Sequence, residues 1–150
     1  MNRYSRLLAM VATSTVAMFL LSYLNSYSTD HLFFSETRAY MALLMGGVMA
    51  VIMLLFMLAT HTDRRKNTAI LLGSAVIFVV SLWLVRSQVT VEDVSYMRAM
   101  IPHHSIAILT SERARIRDPR VRELADGIIE AQVREIAEMQ ALIEDLEASR

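Results

Sequence analysis

The chain contains no cysteine among its 150 residues, and only two prolines and four glycines. The absence of cysteine excludes disulfide scaffolds, cysteine-ligated zinc and iron–sulfur clusters. Glycine-rich phosphate loops and the serine nucleophile elbow are also missing. Net charge is zero, because 15 basic residues balance 15 acidic ones. We expect neither a nucleic-acid partner nor a catalysed reaction.

The charges are nevertheless unevenly distributed along the chain. Residues 1–86 carry seven basic and three acidic side chains, a net charge of +4, whereas residues 87–150 carry eight and twelve, a net charge of −4. Hydrophobic residues form long blocks in the first part and recur at helical spacing in the second. This pattern predicts an all-α protein with a membrane domain over residues 1–88 and a water-exposed domain over residues 89–150.

Three uncharged stretches, Leu7–Leu24, Ala39–Thr60 and Thr68–Val85, predict spanning helices, since each is close to the roughly 20 residues that cross a bilayer. No small-residue cleavage site follows the first stretch, which favours an uncleaved span over a signal peptide. Lysine and arginine near span ends stay in the cytoplasm. Five such cations predict a cytoplasmic amino terminus in the cell membrane: Arg3, Arg6, Arg64, Arg65 and Lys66. After three crossings the carboxy-terminal domain would be periplasmic or extracellular.

The second predicted span contains methionine at every fourth position: Met41, Met45, Met49, Met53 and Met57. Such spacing places them in a slowly winding stripe along the helix. The small residues Ala42, Gly46 and Ala50 lie beside it. Two interpretations remain open: the small residues admit a neighbouring helix while methionine fills gaps, or the thioethers conduct copper(I) or silver(I), as in a small permease.

The water-exposed domain is predicted to be a helical hairpin. Thr90 and Asp93 have the spacing of a reciprocal cap at a helix start; the open alternative is a third span that continues unbroken. Asp118 and Pro119 start a second helix. The first helix has an apolar row comprising Val94, Met97, Ile101, His104 and Ile108. The second has a row comprising Val121, Ala125, Ile128, Gln132, Glu135, Met139, Leu142 and Leu146. So short a hairpin encloses little apolar surface, so we expect a homodimer that completes a four-helix bundle.

Residues suited to metal binding occur in both helices of this hairpin. Met97, Met100 and His104 share one face of the first helix, while His103 lies about 100° from His104. Pro102 lacks an amide proton and is expected to bend the helix beside them. The second helix presents Gln132, Glu135 and Met139 within its apolar row. Methionine and histidine together favour copper(I) or silver(I), whereas histidine with carboxylate suits copper(II) or zinc.

Ordinary structural roles account for the same residues. The methionines are suitable core fillers, and His104 could be a buried histidine hydrogen-bonded to Glu135. In that case the hairpin is a metal-free, dimerising interaction module, with Gln132, Glu135 and His104 fixing the register of the helices.

The sequence from Asp93 to Leu146 resembles a bacterial envelope family numbered 305 among domains of unknown function. The matching positions are Met97, the run Met100-Ile101-Pro102-His103-His104, Ala107-Ile108, Asp118-Pro119, Leu124-Ala125, Ile128-Ile129, Gln132, Glu135-Ile136 and Met139. The resemblance implies a ferritin-like helical bundle that is often secreted or membrane-anchored, with some members associated with copper. The family commonly has glutamine where this chain has Ser105.

Carried over position by position, the resemblance implies a metal site of Met97, Met100, His103, His104, Glu135 and Met139, with Gln132 as a supporting hydrogen-bond donor. We expect a protein anchored in membrane lipid that binds copper for sequestration or tolerance. It would hold the ion or pass it to an envelope metal-handling partner.

Overall fold

A computed structural model describes residues 2–149 and is all-α, as the hydropathy pattern predicts. The helices within this range are α1 (Arg3–Leu21), α2 (Glu36–Phe56), α3 (Arg64–Ser87), α4 (Asp93–Arg113) and α5 (Pro119–Ala148), with a short 3-10 helix at Thr29–His31. The chain divides into two compact units. The first contains α1, α2 and α3. The second contains α4, α5 and the connection 23–36. This connection lies within residues 1–88, the predicted membrane domain, so the predicted boundary does not match the division into units.

The first unit consists of three helices that are long and apolar enough to cross a membrane. They begin and end within a few residues of the predicted spans. Asn2 caps α1 by accepting a hydrogen bond from the Ser5 amide at 2.7 Å, so the helix starts before the uncharged stretch does. The last span does not continue into α4, because Gln88 adopts a left-handed conformation with φ of 52° and ends α3.

Small residues bring α2 close to its two neighbours. A Cβ atom on Gly46 would overlap the Thr15 hydroxyl of α1. On Gly47 it would lie 3.2 Å from the backbone carbonyl oxygen of Ser74 in α3. Only residues without a Cβ permit this approach, which favours the packing interpretation of the small-residue row.

The ends of the helices in the second unit agree only partly with the prediction. The reciprocal cap of Thr90 and Asp93 is wrong: the cap residue of α4 is Glu92, which makes no side-chain capping hydrogen bond. The Thr90 hydroxyl instead lies 2.9 Å from the Tyr40 hydroxyl. The predicted start of α5 is confirmed, since Asp118 accepts a hydrogen bond from the Arg120 amide at 2.9 Å.

Helices α4 and α5 pack against each other in opposite directions. Near one end Arg98 forms an ion pair with Glu147 at 2.7 Å, and near the other Arg122 donates to the Ser111 carbonyl at 2.9 Å. The buried core between them comprises Met97, Ile101 and Ile108 from α4 with Ile136 and Ile143 from α5.

The core confirms the apolar row predicted for α4 but only part of the row predicted for α5, of which Ala125 is buried and Met139 and Leu146 pack against the core. Val121, Ile128 and Leu142 are exposed. The core also contains a row that was not predicted, buried Ile136 and Ile143 together with partly buried Ile129. These isoleucines recur every seven residues, so they share one helix face. Because α5 carries two adjacent apolar rows, periodicity alone does not decide which row meets α4.

Candidate metal-binding groove

An open groove of about 620 Å³ runs along one side of the α4–α5 pair. Five of the predicted site residues line it: Met97, Met100, His104, Glu135 and Met139. The remaining lining residues are Asp93, Tyr96, Glu138, Leu142, Asp145 and Leu146. The structure therefore brings soft sulfur, imidazole and carboxylate groups from two helices to one surface.

His104 is held in the groove by hydrogen bonds at both ring nitrogens. Its Nδ1 lies 2.9 Å from the Met100 carbonyl oxygen, one helical turn earlier. Its Nε2 lies 2.9 Å from Glu135 Oε2 on α5. A carbonyl oxygen only accepts hydrogen bonds, so Nδ1 carries a proton and Nε2 is the nitrogen available for exchange with other ligands. The ring orientation is thus fixed from the backbone of its own helix.

Glu135 is the hydrogen-bond partner of two other polar side chains predicted for this region, those of His104 and Gln132. Gln132 Nε2 donates to the same Oε2 atom at 3.4 Å. The side chain of Glu135 is nearly half exposed, whereas that of His104 is largely buried. The contact between them therefore lies at the edge of the core, where the groove opens to solvent.

The three methionines of the groove differ in burial. Met97 is buried in the hydrophobic core, whereas Met100 and Met139 are partly buried. Pro102 is buried one turn after Arg98 and cannot donate a hydrogen bond to the Arg98 carbonyl. All three methionines line the groove and contribute apolar surface to it.

The groove has a negative electrostatic character. Four carboxylate side chains line it, those of Asp93, Glu135, Glu138 and Asp145, and no lysine or arginine is among its lining residues. Clefts lined by charges of one sign raise the local concentration of ions of opposite charge. The groove is therefore suited to a cation.

The structure does not bring His103 into the groove. His103 is exposed, and its ring centroid lies 6.1 Å from that of His104 in an edge-to-face arrangement. Across residues 2–149 no group of three histidine, aspartate or glutamate side chains is arranged to hold a metal ion. A metal site in this groove would thus require the methionine sulfur atoms.

Sequence reasoning missed the role of Ser105. This residue is fully buried in α4, directly after His104. Its hydroxyl accepts a hydrogen bond from the Tyr27 amide at 2.7 Å and lies 2.9 Å from His31 Nδ1. Ser105 therefore fastens the connection 23–36 to α4. The one sequence feature that could have indicated this role is the departure from the family pattern, since the family commonly has glutamine at the position of Ser105.

Comparisons with known proteins agree with the resemblance seen in the sequence. Residues 90–150 match the family model described as Domain of unknown function (DUF305). The chain is 34% identical over 146 residues to "Uncharacterized protein L153" of Acanthamoeba polyphaga mimivirus, which covers 94% of this chain and 93% of that protein. No solved structure matches the chain.

Proposed function

The chain belongs to the family of the domain of unknown function (DUF305), and we propose that it is a membrane-anchored envelope protein whose α4–α5 unit binds copper(I). The protein holds this ion for sequestration or tolerance and catalyses no reaction. The proposal depends on the geometry of His104. Its Nδ1 is hydrogen-bonded to the Met100 carbonyl, and its ring lines a groove that also contains three methionine side chains.

The orientation of His104 is the one that metal-binding histidines adopt. Such residues donate one ring N–H to a carbonyl or carboxylate, which fixes the tautomer and leaves the other nitrogen for the metal. Here the Met100 carbonyl is that acceptor. Glu135 Oε2 lies 2.9 Å from Nε2 and is its hydrogen-bond partner. Copper(I) would replace Glu135 as the partner of Nε2.

The donor set selects for a soft cation. No group of three histidine, aspartate or glutamate side chains is arranged to hold a metal among residues 2–149, which disfavours zinc and copper(II). Three thioethers and one imidazole line the groove. Thioether sulfur prefers copper(I) and silver(I), and the surrounding carboxylates favour entry of a cation from solvent. Within this set we assign Met97, Met100, His104 and Met139 as ligands, with Glu135 and Gln132 orienting the imidazole.

The membrane unit supplies the anchor in this proposal. Helices α1, α2 and α3 are suited to span the cell membrane, and the cations that flank them favour a cytoplasmic amino terminus. The α4–α5 unit then lies on the outer side, in the periplasm or outside the cell. There it would exchange copper(I) with an envelope metal-handling partner.

Copper(I) titration of the full chain in detergent micelles tests the proposal. Competition with a chromogenic copper(I) chelator gives the affinity. We expect His104→Ala and Met139→Leu each to weaken binding at the groove by at least about tenfold, as loss of ligands or their supports does. The matched control is His103→Ala, which removes the adjacent, exposed imidazole. Equal affinity of His104→Ala and His103→Ala would refute the assignment.

A second function is favoured by the outer face of α5. Val121, Leu124 and Ile128 form an exposed apolar row, with Leu124 65% exposed. Such a row is suited to a homodimer in which two α4–α5 pairs complete a four-helix bundle. As a metal-free interaction module, the protein would dimerise through this row while His104 and Glu135 only fix helix register. Leu124→Glu should then give a monomer by native mass spectrometry, whereas His104→Ala should not.

A further inference from the structure

A basic cavity lies at the end of the three-helix unit where α1 begins. Its volume is about 230 Å³, and its lining residues are Arg3, Arg6, Met10, Met57, Thr60 and His61. Within the part of the chain that the structure describes, this lining contains no aspartate or glutamate. Two guanidinium groups therefore share one cavity without a carboxylate beside them, so the cavity is suited to an anion.

Both arginines have hydrogen-bond donors available for a ligand. Arg3 Nη1 donates to the Thr60 carbonyl at 3.0 Å, which holds this guanidinium at the cavity. A guanidinium has five N–H donors, so this contact leaves others available. The Arg6 side chain is exposed and makes no hydrogen bond or ion pair within residues 2–149.

The lining changes from basic to apolar along α1. Arg3, Arg6 and Met10 are separated by three and four residues, so they share one face of the helix. Met10 lies seven residues after Arg3, about 10 Å further along the helix axis. Thr13 and Ala17 continue this face and are exposed. A phospholipid has the same order, with a phosphate group followed by hydrocarbon, so it matches this face over more of its length than a free phosphate ion does.

We propose that Arg3 and Arg6 form a headgroup site for an acidic phospholipid. Arginine pairs with phosphate through two parallel hydrogen bonds, and basic pockets between spanning helices bind acidic lipid headgroups. A zwitterionic lipid also carries an ammonium group, for which the described lining contains no carboxylate. The site therefore selects lipids whose headgroup carries only negative charge.

Hydrogen bonds hold the walls of this cavity in place. The Tyr4 hydroxyl of α1 accepts from the Asp63 amide at 2.9 Å. Asn67 Nδ2 of α3 donates to the His61 carbonyl at 2.7 Å. Both contacts fasten the connection between α2 and α3, which carries Thr60. The cavity is therefore preorganised, which lowers the cost of ordering the site when a ligand binds.

The surface around the cavity is also basic. Helix α3 begins at this end with Arg64, Arg65 and Lys66. Asp63 precedes them and forms an ion pair with Lys66 at 3.1 Å. Cations next to a membrane attract acidic lipids in general. These residues therefore concentrate acidic lipid at this end, whereas Arg3 and Arg6 give one headgroup a fixed position.

This inference rests on the part of the proposed function that anchors α1, α2 and α3 in a membrane. It uses no residue of the α4–α5 groove. Copper(I) binding can therefore fail while the lipid site stands, and the lipid site can fail while copper(I) binds.

Native mass spectrometry of the full chain, released from non-ionic detergent micelles, tests the site. Phosphatidylglycerol is the acidic probe, and phosphatidylcholine with the same acyl chains is the zwitterionic one. We expect the first phosphatidylglycerol to bind at least about fivefold more tightly than phosphatidylcholine, and Arg6→Gln to weaken it by about fivefold. The matched control is Arg64→Gln, which removes an exposed cation at the same end but outside the cavity lining. It should change the affinity by less than about twofold.

The choice of Arg6 keeps the test independent of folding. Its side chain makes no contact of its own to lose within the described residues, so Arg6→Gln should keep the helix content of the wild type by circular dichroism. Equal affinity for the two lipids would overturn the site. Equal losses in Arg6→Gln and Arg64→Gln would replace it with general attraction of acidic lipid to a basic surface. Displacement of phosphatidylglycerol by inorganic phosphate at equal concentration would also overturn it, since the ligand would then be phosphate alone.

Discussion

Replacing Ile136 by alanine should loosen the α4–α5 pair and the groove that depends on it. Ile136 is 3% exposed and belongs to the core with Met97 and Ile101. It directly follows Glu135, so its packing sets the position of the carboxylate that meets His104. Its exposed counterpart on the same helix is Leu142, which is 46% exposed.

The size of the effect follows from burial. Removing three carbon atoms from a buried side chain costs about 2.4 kcal/mol in transfer free energy. The cavity left behind raises the cost, and large-to-small core substitutions of this kind span about 2–5 kcal/mol. The higher helix propensity of alanine returns only about 0.4 kcal/mol. We therefore expect Ile136→Ala to cost about 2–4 kcal/mol, or about 30- to 1,000-fold in the opening equilibrium.

Hydrogen exchange of the full chain in micelles, read by mass spectrometry, measures this opening helix by helix. Amide hydrogens in peptides from α4 and α5 should exchange about 30- to 1,000-fold faster in Ile136→Ala than in the wild type. Leu142→Ala should change them by less than about fivefold, since it removes little buried surface. If Leu142→Ala has the larger effect, α5 contacts α4 through Leu142 and not through Ile136, and the core described above is incorrect. Equal effects would mean that neither row forms a packed core.

Two further predictions concern helix starts and helix contacts. The Arg120 guanidinium and amide donate hydrogen bonds to Asp118 and hold the pKa of that carboxyl below its ordinary value. The ionised Asp118 cap therefore stabilises α5 fully at pH values above the ordinary pKa of aspartate, and this stabilisation is lost as pH falls through the lowered pKa. In Asp118→Ala, hydrogen exchange of the amides in the first turn of α5 should no longer depend on pH in this way. In the unit of three apolar helices, Gly46→Ala places a Cβ against Thr15 and should lower thermal stability in micelles. Gly73→Ala meets no atom within 4 Å and should not lower it.

The arrangement of the helices could largely be predicted from the sequence, because local signals decide it. Uncharged stretches of adequate length predict the three apolar helices, and Asp118 followed by Pro119 predicts the start of α5. The helical wheel also predicts that Met97, Met100 and His104 share a face. Each of these features depends on residues within a few turns of one another.

What could not be predicted depends on partners distant in the chain. Thr90 has the spacing of a helix cap, yet its hydroxyl meets Tyr40, 50 residues away. Ser105 stands out in the sequence only as a departure from the family pattern, although its hydroxyl accepts a hydrogen bond from the Tyr27 amide, 78 residues away. Periodicity measures the amphipathicity of one helix and contains no information about which hydroxyl a distant loop will find.

His103 shows how local geometry refines a site carried over from a family. The resemblance places His103 and His104 together among the implied ligands, but adjacent residues on a helix diverge by about 100°. The structure follows the helix: the ring of His104 contacts Glu135, while His103 is exposed. For His103 to join the groove, α4 would have to unwind next to Pro102. The copper(I) affinity of His103→Ala therefore measures whether the metal-bound state keeps this helix intact.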